Sequence, residues 1–311
     1  MTTTPSNPRR VFFVRGTGSC GTSWVTALLN LHPRIYTCGE WCFAPIEAGI
    51  EQWEGQDWTW GTSTHMRQIV RRHLAGAVAD CLNAAADTEK PEASWVGDCS
   101  PEPIGDLVPG SPMILAARDG RDVLVSMTLR YLRRGDTNMI AVAPGMASVR
   151  DAFAADPESV VAEPGRLLPD ESWVRNRARL WASRVQHDLD ALDHLRAEGV
   201  PTLLLRYEAL HRDTNACREA CYRLLGLTPA DALPLSAESK TTPGFARGED
   251  LTSFYRAGHI GDWQRVFTDE TTRWFNEEAA EALARLESRA KTESVQETKP
   301  TTVQPTTAHT S

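Results

Sequence analysis

Lysine is scarce in this 311-residue chain: it occurs only at Lys90, Lys240, Lys291 and Lys299, and every other basic residue is arginine. Blocks of basic residues are absent, and the formal net charge is −8 with a pI near 5.6, which argues against nucleic acid or an anionic membrane as the main partner. Any recognition of phosphate must therefore be local. Long apolar runs are also missing. Nothing approaches the roughly 20 residues of a bilayer span, and Met1 to Arg10 has no apolar centre of a secretory signal, so a cytoplasmic protein without a membrane partner is expected.

There is no CxxC pair and no His-x-x-x-His. The seven cysteines are an odd number scattered along the chain, so free thiols are expected rather than a disulfide framework. Cys38/Cys42 and Cys217/Cys221 have a spacing of four that can seat a metal, but with no further ligand-type residues beside them, buried thiols are the preferred reading and no metal is assigned. Internal repeats are lacking as well.

What is present is an alternation. Short apolar runs at Val11–Val14, Ser94–Gly97, Met113–Ala117 and Thr202–Leu205 read as buried parallel strands. Between them, Met66, Ile69, Val70, Leu74, Ala77, Val78, Cys81 and Leu82 recur at helical steps, as do Val174, Ala178, Trp181, Val185, Leu189 and Leu192. The pattern predicts an α/β fold, a single doubly wound parallel sheet flanked by helices, over residues 10–289. Residues 1–9 are expected to be a flexible N-terminus and 290–311 a disordered tail, because neither segment can bury enough apolar area to offset its ordering entropy. In such sheets ligands lie beyond the carboxyl ends of the strands.

The residues at those ends carry the chemistry. After the first strand, Arg15-Gly16-Thr17-Gly18-Ser19-Cys20-Gly21-Thr22-Ser23-Trp24 forms a Gly-rich strand-to-helix turn, of the kind in which backbone N–H groups and a helix dipole converge on a phosphate. Its glycines fit the Walker frame, but Thr22 stands where the lysine belongs, which disfavours a P-loop kinase or NTPase. After the third strand, Arg118, Arg121, Arg130, Arg133 and Arg134 face only Asp119 and Asp122, implying a local anion site. The fourth strand ends in Arg206-Tyr207-Glu208. Later stands Phe254-Tyr255-Arg256-Ala257-Gly258-His259-Ile260-Gly261-Asp262-Trp263-Gln264.

Taken together, Gly18 to Trp24, Arg118 to Ser126, Arg206 to Leu210, and Arg256 to Trp263 followed by Phe267-Thr268 resemble, in order, the motifs of sulfotransferases that use 3′-phosphoadenosine 5′-phosphosulfate (PAPS). The resemblance implies a P-loop-containing nucleotide-binding fold with PAPS as cofactor and PAP as its product. Backbone and hydroxyl groups of Gly18, Ser19, Cys20, Gly21, Thr22 and Ser23 would hold the 5′-phosphosulfate, with Arg15 among the nearby cations. Arg118 and Ser126 would bind the 3′-phosphate, Tyr207 would lie near the adenine, and Arg256 with the Gly258 backbone would close over the 3′-phosphate. Trp24 would form the base of the adenosine pocket or serve as a core tryptophan.

The departures from the family pattern are all lost lysines. Ser19 occupies the position of a Lys or Arg that stabilises the leaving phosphate, Cys99 that of a lysine in a Gly-Asp-Lys segment, Ala257 that of another, and Gln264 that of a fourth. Either Arg15, Lys240 or an arginine of the Arg130–Arg134 stretch compensates, or transfer is slow. For the base, His32-Pro33 and Cys38-Gly39-Glu40 resemble the tyrosylprotein branch and make Glu40 the candidate, with His65 in reserve; His259 is a bystander. The acceptor, a small molecule, glycan or peptide, is expected to enter over 47–65, which contains Trp53, Trp58 and Trp60, and over a mobile lid at 135–173. A protein that holds PAPS or PAP without turnover is the rival reading.

Overall fold

The computed structural model describes residues 9–55, 64–135, 143, 145–235, 250–251 and 258–297. Five strands, β1 (Arg10–Gly16), β2 (Ile35–Gly39), β3 (Trp95–Cys99), β4 (Met113–Ala117) and β5 (Thr202–Arg206), form an all-parallel sheet in the order β2-β3-β1-β4-β5. Four of these are the apolar runs read from the sequence. β2 was not anticipated: as an edge strand it buries only Ile35 and Thr37 deeply, so Ile-Tyr-Thr-Cys-Gly lacks the continuous apolar character of a central strand.

Side chains alternate across the sheet with the two-residue period of a strand. Val11, Phe13, Met113 and Leu115 join a core on one face; Phe12, Val14, Ile114 and Ala116 join a second core on the other. The second core is closed by α1 (Thr22–Leu29) and by α9 (Thr214–Leu224), whose Tyr222 is fully buried and donates its hydroxyl to Leu28 O at 2.6 Å. The first core is closed by α3 (Thr64–Glu89), α4 (Gly120–Arg134), α7 (Glu171–Ala197) and α11 (Asp269–Glu297). Both helical patterns read from the sequence appear, as α3 and α7, although Met66 at the start of α3 is exposed. α4 is bounded by its own chemistry: Asp119 accepts the Arg121 N–H at 2.9 Å, Arg133 and Arg134 occupy the last turn, and Gly135 ends it at φ +59°. α7 and α11 pack together through Trp181 and Phe275, ring centroids 6.0 Å apart, and through Arg175 and Arg179 paired with Glu278.

Three expectations are corrected. Part of the span expected to form a lid supplies core instead. α5 (Gly145–Ala155), α6 (Pro157–Val161) and the turn beyond them bury Met146, Val149, Phe153, Val160, Leu167 and Leu168, apolar residues that the Pro/Gly content of the segment obscures. α11 runs on to Glu297, past the expected start of the tail, since Lys-Thr-Glu-Ser-Val-Gln-Glu contains no helix breaker to stop it. Arg9, assigned to the flexible N-terminus, is held by Asp87 at 2.6 Å and by the carbonyls of Ala93 and Pro91 at 3.0 Å each. Residues 1–8 and 298–311, and Trp58, Trp60, Lys240 and Arg256, lie outside the described residues.

The remaining helices are α2 (Ala44–Glu54), α8 (Tyr207–Arg212) and α10 (Trp263–Val266). Phe275 is fully buried between α7 and the Phe267 ring. Phe275→Ala should cost about 3–5 kcal/mol, the range for a truncated buried aromatic, whereas Leu233→Ala, 62% exposed, should stay within about 0.5 kcal/mol; urea unfolding of both variants measures the contrast.

Candidate functional site

β1 lies centrally, and the chain departs to opposite sides of it, so the carboxyl ends of β1 and β4 flank the crevice of a doubly wound sheet. The loop leaving β1 is shaped by two close approaches. A Cβ at Gly16 would stand 2.3 Å from Ala116 O and 2.6 Å from Cys20 Sγ, and one at Gly21, where φ is +96°, would stand 2.6 Å from the Tyr207 ring. Ser19 also adopts a left-handed conformation, φ +67°. The reversal delivers the chain into α1 without a side-chain cap. The Trp24 and Val25 N–H groups return to Gly21 O and that of Thr22 is directed at the buried Cys20 Sγ, while that of Ser23 finds no acceptor among the described residues. A free donor at a helix start suits an anion.

Cys20 does not belong to that cradle. Its N–H is taken by Thr17 O at 3.3 Å and its side chain is fully buried. Burial pushes the thiols of Cys20 and Cys99 both up to about 12, and the Cys99 thiol donates to Thr22 O at 3.2 Å.

Arg118, at the end of β4, gathers the other predicted segments. Its Nη1 donates to Ser19 O at 3.2 Å and its Nη2 to His259 O at 2.7 Å, while the guanidinium lies 4.3 Å above the Tyr207 ring. Tyr207 in turn donates its hydroxyl to Gly258 O at 3.0 Å. Asp122, one turn into α4 and 3.7 Å from Arg118, accepts the N–H groups of Gly261 at 2.8 Å and Trp263 at 3.1 Å; burial raises its carboxyl, opposed by the Arg118 charge and by these two donors. Arg118 is only 5% exposed, so it is an internal tie rather than an open cation, and its Nε alone is buried without a partner. Ser126 is half-buried further along α4 and makes no hydrogen bond to Arg118.

Trp24 packs edge-on against Tyr207 at 5.8 Å and His211 at 5.1 Å within the second core. His211 went unnoticed in the sequence. Burial lowers its pKa and the Arg118 charge adds to the effect; its only sequence signal is its place one turn after Tyr207.

On the other side of the loop, Arg15 is 1% exposed and paired with fully buried Asp98 at 2.8 Å. This corrects its expected role: the charge is neutralised inside the protein, where the Asp98 carboxylate also accepts the Ser100 hydroxyl at 2.8 Å and the Trp41 N–H at 3.3 Å. That network holds the turn bearing Glu40. Glu40 has φ +57° and donates its N–H to Cys99 O at 3.0 Å, and its side chain is exposed at the end of β2. His65 is exposed on the first turn of α3, and no contact links it to the loop.

Two further arginines reach the loop. Arg184 of α7 donates its Nη2 to Gly16 O at 2.8 Å and its Nε to Asp188 at 2.7 Å; its spacing of four from Asp188 was a legible ion-pair signal. Arg130 of α4 brings Nη1 to 3.7 Å from where a Cβ of Gly18 would be, close to the position at which Ser19 replaces a cation.

A scan against protein-family models and a search of curated proteins each found no match. The solved structures similar to this chain include sulfotransferases. Mouse sulfotransferase SULT7A1 complexed with PAP is 15% identical over 92% of this chain and 90% of that one, with a TM-score of 0.44. The sulfotransferase domain of the Synechococcus PCC 7002 olefin synthase is 14% identical over 88% and 95%, with a TM-score of 0.42. Retinol dehydratase in complex with androsterone and the inactive cofactor PAP is 16% identical over 90% and 82%, also at 0.42. Identities this low and TM-scores below 0.5 leave the functional argument to the residues themselves.

The thiol environments are directly measurable. At pH 8 a maleimide or disulfide reagent should label exposed Cys42 and Cys81 in the native protein and spare Cys20 and Cys99, which stay protonated and inaccessible; in denaturant all seven should react. Native labelling of Cys20, located by mass spectrometry, would contradict the closed loop described above.

Proposed function

We propose that this chain moves a sulfuryl group from PAPS to a hydroxyl, or as the less favoured alternative an amine, of a small-molecule, glycan or peptide acceptor. The reading is carried by one observation: the four segments that resemble the family's motifs meet around the Arg118 guanidinium, with Ser19 lying 99 residues before it and His259 141 residues after it. The residues fit the nucleotide on two counts. The free N–H group of Ser23 at the start of α1 suits its 5′-phosphosulfate, and the buried Nε of Arg118, without a partner among the described residues, suits the 3′-phosphate.

When bound, PAPS supplies the sulfuryl group and a nucleotide phosphate as leaving group. The loop donors and the positive end of α1 stabilise negative charge beside Gly18 to Ser23. Arg130 takes the place of the cation missing at Ser19, a role that Arg15, paired with Asp98, does not fill. Tyr207 lies against the loop at Gly21, and by the resemblance Arg256 and the Gly258 backbone would complete the 3′-phosphate side. Glu40, exposed on its braced turn, accepts the proton of the acceptor hydroxyl, with His65 in reserve. Occupation of both Arg118 Nη groups by carbonyls favours a second reading, a PAPS- or PAP-binding protein without turnover; transfer of radiolabelled sulfate from PAPS to a panel of phenols, sugars and peptides separates the two.

Arg118→Ala should weaken PAP at least about tenfold more than adenosine 5′-phosphate, since a charge-assisted bond to the 3′-phosphate amounts to about 1.5–3 kcal/mol. Equal losses in titration calorimetry would remove Arg118 from the 3′-phosphate site. Glu40→Gln should lower turnover about 10²-fold or more with PAP affinity nearly unchanged, because the amide keeps the shape but cannot take a proton. Full turnover in that variant, with chemistry rate-limiting, would move the base elsewhere.

A further inference from the structure

We propose that a cavity beside the loop, between α4 and α7, binds an acceptor with a single-ring apolar body, its hydroxyl at the loop and a carboxylate at the far end. This deepens the sulfotransferase reading and rests on it only for the role of the ligand as acceptor. The cavity has a volume of about 180 Å³. An engineered apolar cavity of about 150 Å³ accepts benzene, so the space suits one ring with short substituents. Thr17 and Gly18 of the loop line one end, and Leu124, Met127, Leu180 and Trp181 supply apolar walls.

The charged residues lining the cavity are ordered along a helix. Arg177, Leu180, Trp181 and Arg184 lie at i, i+3, i+4 and i+7 on α7 and share one face. At the loop end, Arg184 is bound to Gly16 O and neutralised by Asp188. Arg177 stands seven residues earlier, about 10 Å along the axis at 1.5 Å per residue. Its guanidinium lies 4.5 Å from the Trp173 ring and 5.5 Å from that of Tyr131, its Nε is buried without a hydrogen-bond partner, and no carboxylate among the described residues pairs with it. A planar cation held by two rings with its donors unused matches a planar anion. Leu180, 54% exposed at the cavity, gains cover from an apolar body lying between the two ends. Ring, anion and hydroxyl are thereby placed in order: carboxylate at Arg177, ring against Leu180 and Trp181, hydroxyl at Thr17 and Gly18.

The test uses 3-(4-hydroxyphenyl)propionate and its primary amide, equal in shape and different in charge, titrated calorimetrically into the full chain with and without PAP. The acid should bind at least about tenfold more tightly than the amide, the advantage of a charge-assisted pair. Arg177→Gln should bring the acid down to the affinity of the amide while leaving the amide and PAP unchanged, and Leu180→Trp, at an exposed position, should weaken both probes. Equal binding of acid and amide to the native protein, binding of neither, or a parallel loss of both in Arg177→Gln would overturn the proposal. PAP binding without acid binding would reject this pocket and leave the sulfotransferase reading intact. Arg177-dependent acid binding in a chain that neither binds PAP nor transfers labelled sulfate would support the pocket and reject that reading.

Discussion

The candidate site depends on one buried cation. Arg118 is almost removed from water, and a guanidinium in that position is tolerable only with its donors and its face engaged. The Ser19 and His259 carbonyls, the Tyr207 ring and the neighbouring Asp122 provide this engagement, and each belongs to a different stretch of chain. The need to satisfy one charge therefore draws the loop after β1, the start of α4, the end of β5 and the segment before α10 to a common point. Asp122 extends the same logic, fixing the Gly261 and Trp263 N–H groups and so setting the entry to α10.

A second buried charge pair organises the opposite flank. Arg15 and Asp98 come from the adjacent strands β1 and β3, and burial makes each obligatory to the other. Asp98 uses its remaining acceptor capacity on Ser100 and on the turn that carries Glu40. The turn that bears the exposed Glu40 carboxylate is thus held by a buried network. Arg184, paired with Asp188 and bound to Gly16 O, braces the loop from a third direction. Arginine rather than lysine at all three ties is consistent with the need for several directed donors per charge.

The cavity lined by α4 and α7 shows what this bracing leaves open. Arg184 is consumed by the scaffold, whereas Arg177, on the same helical face, retains its donors. The difference arises from what each meets: Arg184 reaches backbone and an i+4 carboxylate, and Arg177, among the described residues, meets aromatic faces.

Much of this architecture was legible in local pattern. Continuous apolar runs identified β1, β3, β4 and β5, 3.6-residue periodicity identified α3 and α7, and the glycines between β1 and α1 identified a tight strand-to-helix turn, because burial, an amphipathic stripe and positive φ each demand particular residues at short range. β2, the core role of Met146 to Leu168, and the helix beyond Ala290 were not legible in that way, since the mixed Ile-Tyr-Thr-Cys-Gly strand, short helices and a polar helix end leave no apolar periodic signature. Side-chain assignments divided along the same line. The sequence determined by itself that Arg118, Tyr207 and the Gly258 segment stand at strand ends or in ordered motifs. Only the tertiary structure decided that Arg15 is neutralised by Asp98, that Cys20 is sealed from the loop surface, that Arg130 reaches Gly18 and that Arg177 meets aromatic rings and no carboxylate among the described residues, because whether a charge is free or paired depends on groups that chain folding brings together from tens of residues away.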